Sequence, residues 1–290
     1  GKAIKTPQFP ERPESLTISD RGIRADFPGP SQITNDKERG VMMHFLANHE
    51  LLAAELMALV LLKFPDAPKD YRAGVYEAMR EEQMHTQMYL RRMRDCGISF
   101  GELPLNDYFW RIVSSMDTVM DFVVRMNLTF EQANLDYSKF YAQQFRVIGD
   151  TGTAAVLDKI YQDEINHVGH GLKWLRNWKK RDHSDWEAFS GSLQFPLSPS
   201  RAKGMVSFNS EGRLDAGFDD EFISQMKISS QSRGRTPVVH WFNPNAELYS
   251  LASVNGTNFC ANRFEKAIEE DLEILMLAWS RKDDVALFRN

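Results

Sequence analysis

The chain has 290 residues, of which 42% are hydrophobic and 26% charged, and its formal net charge is −5. This is the make-up of a globular protein with material for a sizeable core; it argues against a disordered chain and against a nucleic-acid binder, which usually presents a basic surface. Two cysteines, Cys96 and Cys260, are too few for a disulfide framework and fit no zinc spacing, so a reducing, cytoplasmic setting is expected.

Residues 1–35 read as an extended arm. Pro7, Pro10, Pro13, Pro28 and Pro30 punctuate it, no helical period develops, and no apolar signal region is present. A first helix is expected from about Asp36 to Phe64, with Met43, Leu46, Ala47, Leu51, Ala54, Ala58 and Leu61 on one stripe. "FPDAP" closes it. Its apolar run "LLAAELMALVLLKF" is interrupted by Glu55 and reads as too short and too charged to span a bilayer, so no membrane partner is expected. A second helix runs from about Asp70 to Cys96 and stops at Gly97.

Residues 97–116 form a long connection with a short helix near "NDYFWRIV". A third helix is expected from about Thr118 to Ile148 and a fourth from about Thr151 to Lys180. Short links within each pair and a long one between the pairs give two antiparallel hairpins joined by a crossover, the topology of ferritin-like bundles. Residues 189–237 read mostly as loop, with one short helix near "DDEFISQM". The remainder reads strand ("PVVHWF"), loop, helix, strand ("DVALF"), a βαβ-like unit that cannot bury both faces of its sheet alone. It is expected to pair with a partner or to continue into a longer chain. The fold class is therefore mainly α: an arm (1–35), a four-helix bundle (36–188), a loop-rich segment (189–237) and a small α/β-like extension (238–290).

Within the fourth helix, "DEINHV" places Glu164 and His167 three residues apart, hence on one helical face. Alone, such a pair is a common solvated face. A second copy, Glu82 and His85, lies in the second helix, and each copy has an upstream glutamate in the preceding helix. Glu131 precedes Glu164 by 33 residues and Glu50 precedes Glu82 by 32. In an antiparallel pair, near-equal travel brings both residues to one height, since each residue rises about 1.5 Å. Four glutamates and two histidines in a bundle core form the ligand set of a dinuclear carboxylate site. Oxygen and imidazole donors suit iron and manganese rather than thiophilic metals.

Asp163 and Glu81 directly precede Glu164 and Glu82. Each is expected to accept a hydrogen bond from the histidine of the opposite half, Asp163 from His85 and Glu81 from His167. Glu55 is expected near the site as a supporting or buried partner. His170 reads as a hydrogen-bonded core histidine, with a seventh ligand or a pocket wall as alternatives. Tyr137 and Tyr161 read as core or as cavity lining. Arg201 and Lys203 in "PLSPSRAKG" read as solvated loop charges, with an anion contact as the alternative.

The motifs "HELLAAELMALVLLKFPDAP", "EEQMH", "FGELPLNDYFW", "LTFEQANLDY", "YQDEINHVGHGLKWL" and "PLSPSRAKG" resemble, in order, the ferritin-like family catalogued as domain of unknown function 455. The resemblance covers residues 38 to 225 and implies a four-helix bundle with a dinuclear metal centre. More distantly the site resembles those of rubrerythrins and di-iron oxygenases. The expected cofactors are two iron ions, or manganese and iron, with zinc in purified material. The expected activity is oxygen-dependent oxidation of an organic substrate, small or macromolecular, with Glu82 and Glu164 bridging the metals. Iron handling as a ferroxidase, or a metal-stabilised interaction module, is the alternative. A homodimer and a partner for the extension are further expectations.

Overall fold

The computed structural model describes residues 5–18, 26–229, 238–280 and 284–287. The protein is mainly helical and divides into two compact units, Gly1–Met226 and Lys227–Asn290.

In the first unit, α1 (Asp36–Lys63) begins where Asn35 accepts hydrogen bonds from the backbone N–H groups of Lys37 and Glu38. It turns back through "FPDAP" into α2 (Lys69–Asp95), which ends before Gly97 at a φ of +76°. By length and composition α1 could cross a bilayer, which corrects the sequence reading of its apolar run as too short. In the fold, 56% of that apolar window is buried, as in a core helix, because α1 packs along α2.

The crossover holds α3 (Tyr108–Val113) and is stitched to the arm and to α1. Arg12 grips Glu55 through two hydrogen bonds of 2.7 Å and also reaches Asn48. The Trp110 indole donates to the Gln8 carbonyl. His44 Nε2 accepts from the Gly101 N–H at 3.1 Å. Gly101 sits at a φ of +89°, and a Cβ there would lie 2.2 Å from the Ser15 carbonyl oxygen, so only glycine allows arm and crossover to approach this closely.

The third long helix is composite: α4 (Val119–Phe122), a π-helical stretch (Val123–Glu131) and α5 (Gln132–Val147). Its start carries a capping box between Thr118 and Asp121. The sequence reading expected a plain α-helix here. The wider π turn is stabilised by burial of all its residues and by Thr129 Oγ1 donating to the Val124 carbonyl five residues back. π turns are rare and recur at functional sites. An aspartate cap, Asp150, then opens α6 (Thr151–Trp178).

The segment after the bundle is more ordered than its loop-like composition suggests. It contains α7 (Asp185–Ser192), a 3₁₀ turn (Pro199–Ala202) and α8 (Ser210–Asp215), besides α9 (Asp220–Ser229), the short helix expected near "DDEFISQM". The three new pieces are too short to show a period, and capping starts both helices: a Ser184–Glu187 box for α7 and Asn209 for α8. The fully buried Arg213 clamps this segment to α5. It donates to both oxygens of Asp136 at 2.7 and 2.9 Å and to the carbonyls of Ala202 and Asn209. Tyr137 and Tyr161 accept hydrogen bonds from Met205 N–H and Asn209 Nδ2, so both serve this docking. Arg201 and Lys203 lie over the rings of Tyr108 and Phe208.

Two apolar clusters fill the bundle. One is built from Met42, Met43, Ala47, Tyr89, Tyr141, Phe145, Leu157 and Ile160 with their neighbours. The other takes the opposite halves of the same helices, including Leu52, Leu56, Val75, Leu128, Val168 and Leu172. Between them, on each helix, lies a polar layer.

The second unit pairs β1 (Val239–Trp241) in parallel with β2 (Val285–Leu287), Val239 opposite Val285. Between the strands run α10 (Ala246–Val254), α11 (Arg263–Leu272) and α12 (Leu275–Trp279). The parallel pair with intervening helices is the βαβ-like pattern, with α10 in the stretch read as loop.

Candidate metal centre

The polar layer consists of Glu50 from α1, Glu82 and His85 from α2, Glu131 at the end of the π stretch, and Glu164 and His167 from α6. All six are buried. Each arrives from the spacing of its helix: three residues separate glutamate and histidine on α2 and on α6, so both side chains of each pair look inward.

The donor atoms form two groups that share Glu82. Glu50, Glu82, His85 and Glu164 form one; Glu82, Glu131 and His167 form the other. Within each group the donor atoms lie within 4.8 Å of one another. His85 Nδ1 is 3.5 Å from Glu82 and 4.0 Å from Glu50; His167 Nδ1 is 3.2 Å from Glu82 and 3.7 Å from Glu164. Ligands about 2.1 Å from one cation at right angles stand about 3 Å apart, so these separations suit a metal ion.

The outer atoms are held and the inner ones are bare. His85 Nε2 is 2.9 Å from Asp163, and His167 Nε2 is 2.7 Å from Glu81, the crosswise pairing anticipated from the sequence. Asn127 Nδ2 donates to Glu131 at 2.6 Å and Asn134 Nδ2 to Glu164 at 2.7 Å. Both Nδ1 atoms, both Glu82 oxygens, Glu131 Oε1 and Glu164 Oε2 have no hydrogen-bond partner. A buried polar atom without a partner costs about 1–3 kcal/mol, and these six together could be met by a metal ion.

Protonation describes the same site. Burial, followed by the adjacent Glu82 carboxylate, pushes Glu50 well above the usual carboxylate range. Burial alone would raise Glu82 too, but the close approach of Glu50, His167 and His85 holds it below its ordinary value. Burial raises Glu131 to about 8 and also lifts Glu164. Burial opposes charge on His85, yet Asp163 and Glu82 carry it up to about 9. His167 rises likewise against burial, through Glu164, Glu81 and Glu82. Without metal, protons do the neutralising that cations would do.

Two sequence expectations need adjusting. Glu55 lies five residues from Glu50, which turns it about 140° around α1. Its carboxylate is occupied by Arg12, and no hydrogen bond joins it to the six among the described residues. His170 is not among the grouped donors; its ring meets the Tyr71 backbone, but its Nε2 lacks a hydrogen-bond partner, so it is only half satisfied. It lies on the wall of a cavity. His49, next to Glu50 in sequence, stays out of the layer: it stacks on Phe109 at 4.5 Å, and burial lowers it to about 4.

A family model described as a protein of unknown function, DUF455, matches residues 2–224. The chain belongs to that family. No curated protein and no solved structure gives a significant match. The DUF455 match ends two residues short of the boundary of the first unit and takes in the whole polar layer. The DUF455 unit also uses residues that sequence reading passed over: Asn127, Asn134 and the π turn that carries Glu131. Asn127 lies four residues before Glu131 and was legible as an i, i+4 pair. Asn134, reaching across to α6, was not.

Proposed function

We propose that the buried layer holds two divalent metal ions, iron or manganese with iron, in a ferritin-like bundle that activates dioxygen to oxidise an organic substrate. The observation carrying this reading is the set of six inward, unpartnered donor atoms arranged as two groups around Glu82. Such a pair of metals, when bound, would supply the electrons that reduce dioxygen.

The residues have distinct tasks in this reading. Glu82 belongs to both donor groups and would be the carboxylate shared by the two ions. Glu164 belongs to the first group and lies 3.7 Å from His167 of the second, which suits it to bridge as well. Glu50 and Glu131, each in one group only, would each hold a single ion. Asp163 and Glu81 fix the histidine tautomers by accepting from Nε2, leaving Nδ1 free to ligate. The apolar layers on either side keep bulk water from the centre and strengthen every charge interaction within it.

The test is oxygen uptake by the full chain reconstituted anaerobically with ferrous iron. Uptake with an accompanying change in the optical spectrum is expected. Protein that binds iron yet consumes no oxygen contradicts oxygen activation and favours a metal-stabilised module. Uptake by a closed many-subunit shell on a sizing column would favour iron storage.

A further inference from the structure

A cavity of about 240 Å³ opens between α1, α2, α6 and the π stretch, and His167 forms part of its wall. It abuts only one half of the polar layer. Asn127, which donates to Glu131, also lines it, whereas Glu50 and His85 do not.

The cavity is built rather than left over. Gly74 makes room for the His170 ring: a Cβ at Gly74 would lie 2.1 Å from His170 Cε1 and 2.5 Å from Nδ1. Tyr71 stacks on the same ring at 5.7 Å. The His170 ring meets the Tyr71 backbone while Nε2 has no partner. With the proton of the neutral ring on Nδ1, the unpartnered Nε2 is a bare acceptor. Burial lowers His170 to about 4, so it is neutral near pH 7. The second bare acceptor is Asn127 Oδ1, on a side chain only 2% exposed whose amide nitrogen is already committed to Glu131.

The remaining wall sets the ligand's character. Met57, Val75, Ala78 and Phe122 are apolar, and the exposed Asn166 adds an amide at the edge. Glu77 and Glu81 bring carboxylates; Glu77 also meets Arg80 at 3.4 Å, and Glu81 accepts from His167. No lysine or arginine lines the space, and the charge of His167 on its wall is met by Glu81 and Glu82. Two donor-hungry atoms, carboxylates and a short apolar wall call for a cationic hydrogen-bond donor on a small hydrocarbon body. The volume falls below the usual range for drug-sized ligands, about 300–1,000 Å³.

We infer that this cavity binds a small alkylammonium ligand, its N–H groups meeting His170 Nε2 and Asn127 Oδ1, beside the Glu131 and His167 half of the layer. The inference rests on the metal-centre reading for its position as a substrate site, but the binding itself needs no metal.

Calorimetric titration of the full chain, metal-free and cobalt-loaded, with n-butylammonium, n-butanol and butyrate tests it. Saturable binding is expected for n-butylammonium, with butanol and butyrate at least about 10-fold weaker, and cobalt absorption bands that shift when the amine binds. His170→Phe keeps the ring and removes the acceptor, and Gly74→Ala drives the ring from its seat; each should weaken the amine about 10-fold or more. Butanol binding as tightly as the amine, or an amine affinity unmoved in both variants, overturns the inference. So does competition by magnesium ions in the metal-free protein, which would assign the acceptors to a hydrated cation. A chain that takes the amine but no cobalt refutes the metal reading alone, whereas one that takes cobalt but no amine refutes this inference alone.

Discussion

Replacing Asp163 with asparagine keeps the side-chain size and removes only its charge. Asp163 is buried and lies 2.9 Å from Nε2 of the fully buried His85, with Lys159 as its other partner. The amide oxygen of asparagine can still accept from His85, so what is lost is the charge assistance. Hydrogen bonds to charged groups contribute about 1.5–3 kcal/mol and neutral ones about 0.5–1.5, a difference near 1–2 kcal/mol. Metal affinity at the His85 half should therefore fall about 5- to 30-fold. Lys159 is half exposed, so water replaces its partner at little cost. Glu81→Gln is the matched control, because Glu81 does the same for His167 with a side chain 36% exposed. Solvent screening there should reduce the loss to a few-fold. Competition of cobalt against a chelating dye measures both, with circular dichroism confirming that the variants fold. Unchanged affinity in a folded Asp163→Asn protein would refute the reasoning that this carboxylate prepares His85 to ligate.

Arg213→Ala leaves Asp136 buried without its cation and should cost about 3–5 kcal/mol in urea unfolding; an unchanged midpoint would contradict the clamp. Gly171→Ala would place a Cβ 2.4 Å from Asn127 Cβ, so about 1–3 kcal/mol of stability should be lost and the Asn127 bond to Glu131 disturbed; a loss under about 0.5 kcal/mol would refute this tight seam. Metal binding should release protons at pH 7, since His85 and Glu131, raised to about 9 and 8, carry protons there that a cation must displace. The sign is fixed: these groups are protonated below their raised values, so affinity falls as pH drops through 9 to 7 and below. A pH indicator in weak buffer detects the release, and binding without it would contradict the account.

The bundle was legible because long helices advertise their period and their stops. Asn35, "FPDAP", Gly97 and Asp150 all mark ends that the structure uses. The two halves of the polar layer were legible because glutamate and histidine three apart, with matched upstream glutamates, follow from helix geometry alone. What escaped depends on contacts between distant segments. The π turn ending at Glu131 reflects burial against α6, where Gly171 admits Asn127. Glu55 looked like a member of the site because its helix is apolar, but its partner Arg12 comes from an arm 43 residues away in sequence. The His170 cavity needs Gly74 on another helix, and neither residue announces the other. The short helices after the bundle are fixed by caps and by Arg213 rather than by any stripe.

The central claim meets its most direct test in elemental analysis of the full chain reconstituted with ferrous iron without oxygen, beside Glu82→Ala and Glu164→Ala. The account predicts two metal ions per wild-type chain and loss of both in the Glu82 variant, because Glu82 alone belongs to both donor groups. Two metals retained in both variants, or none in the wild type, would contradict it.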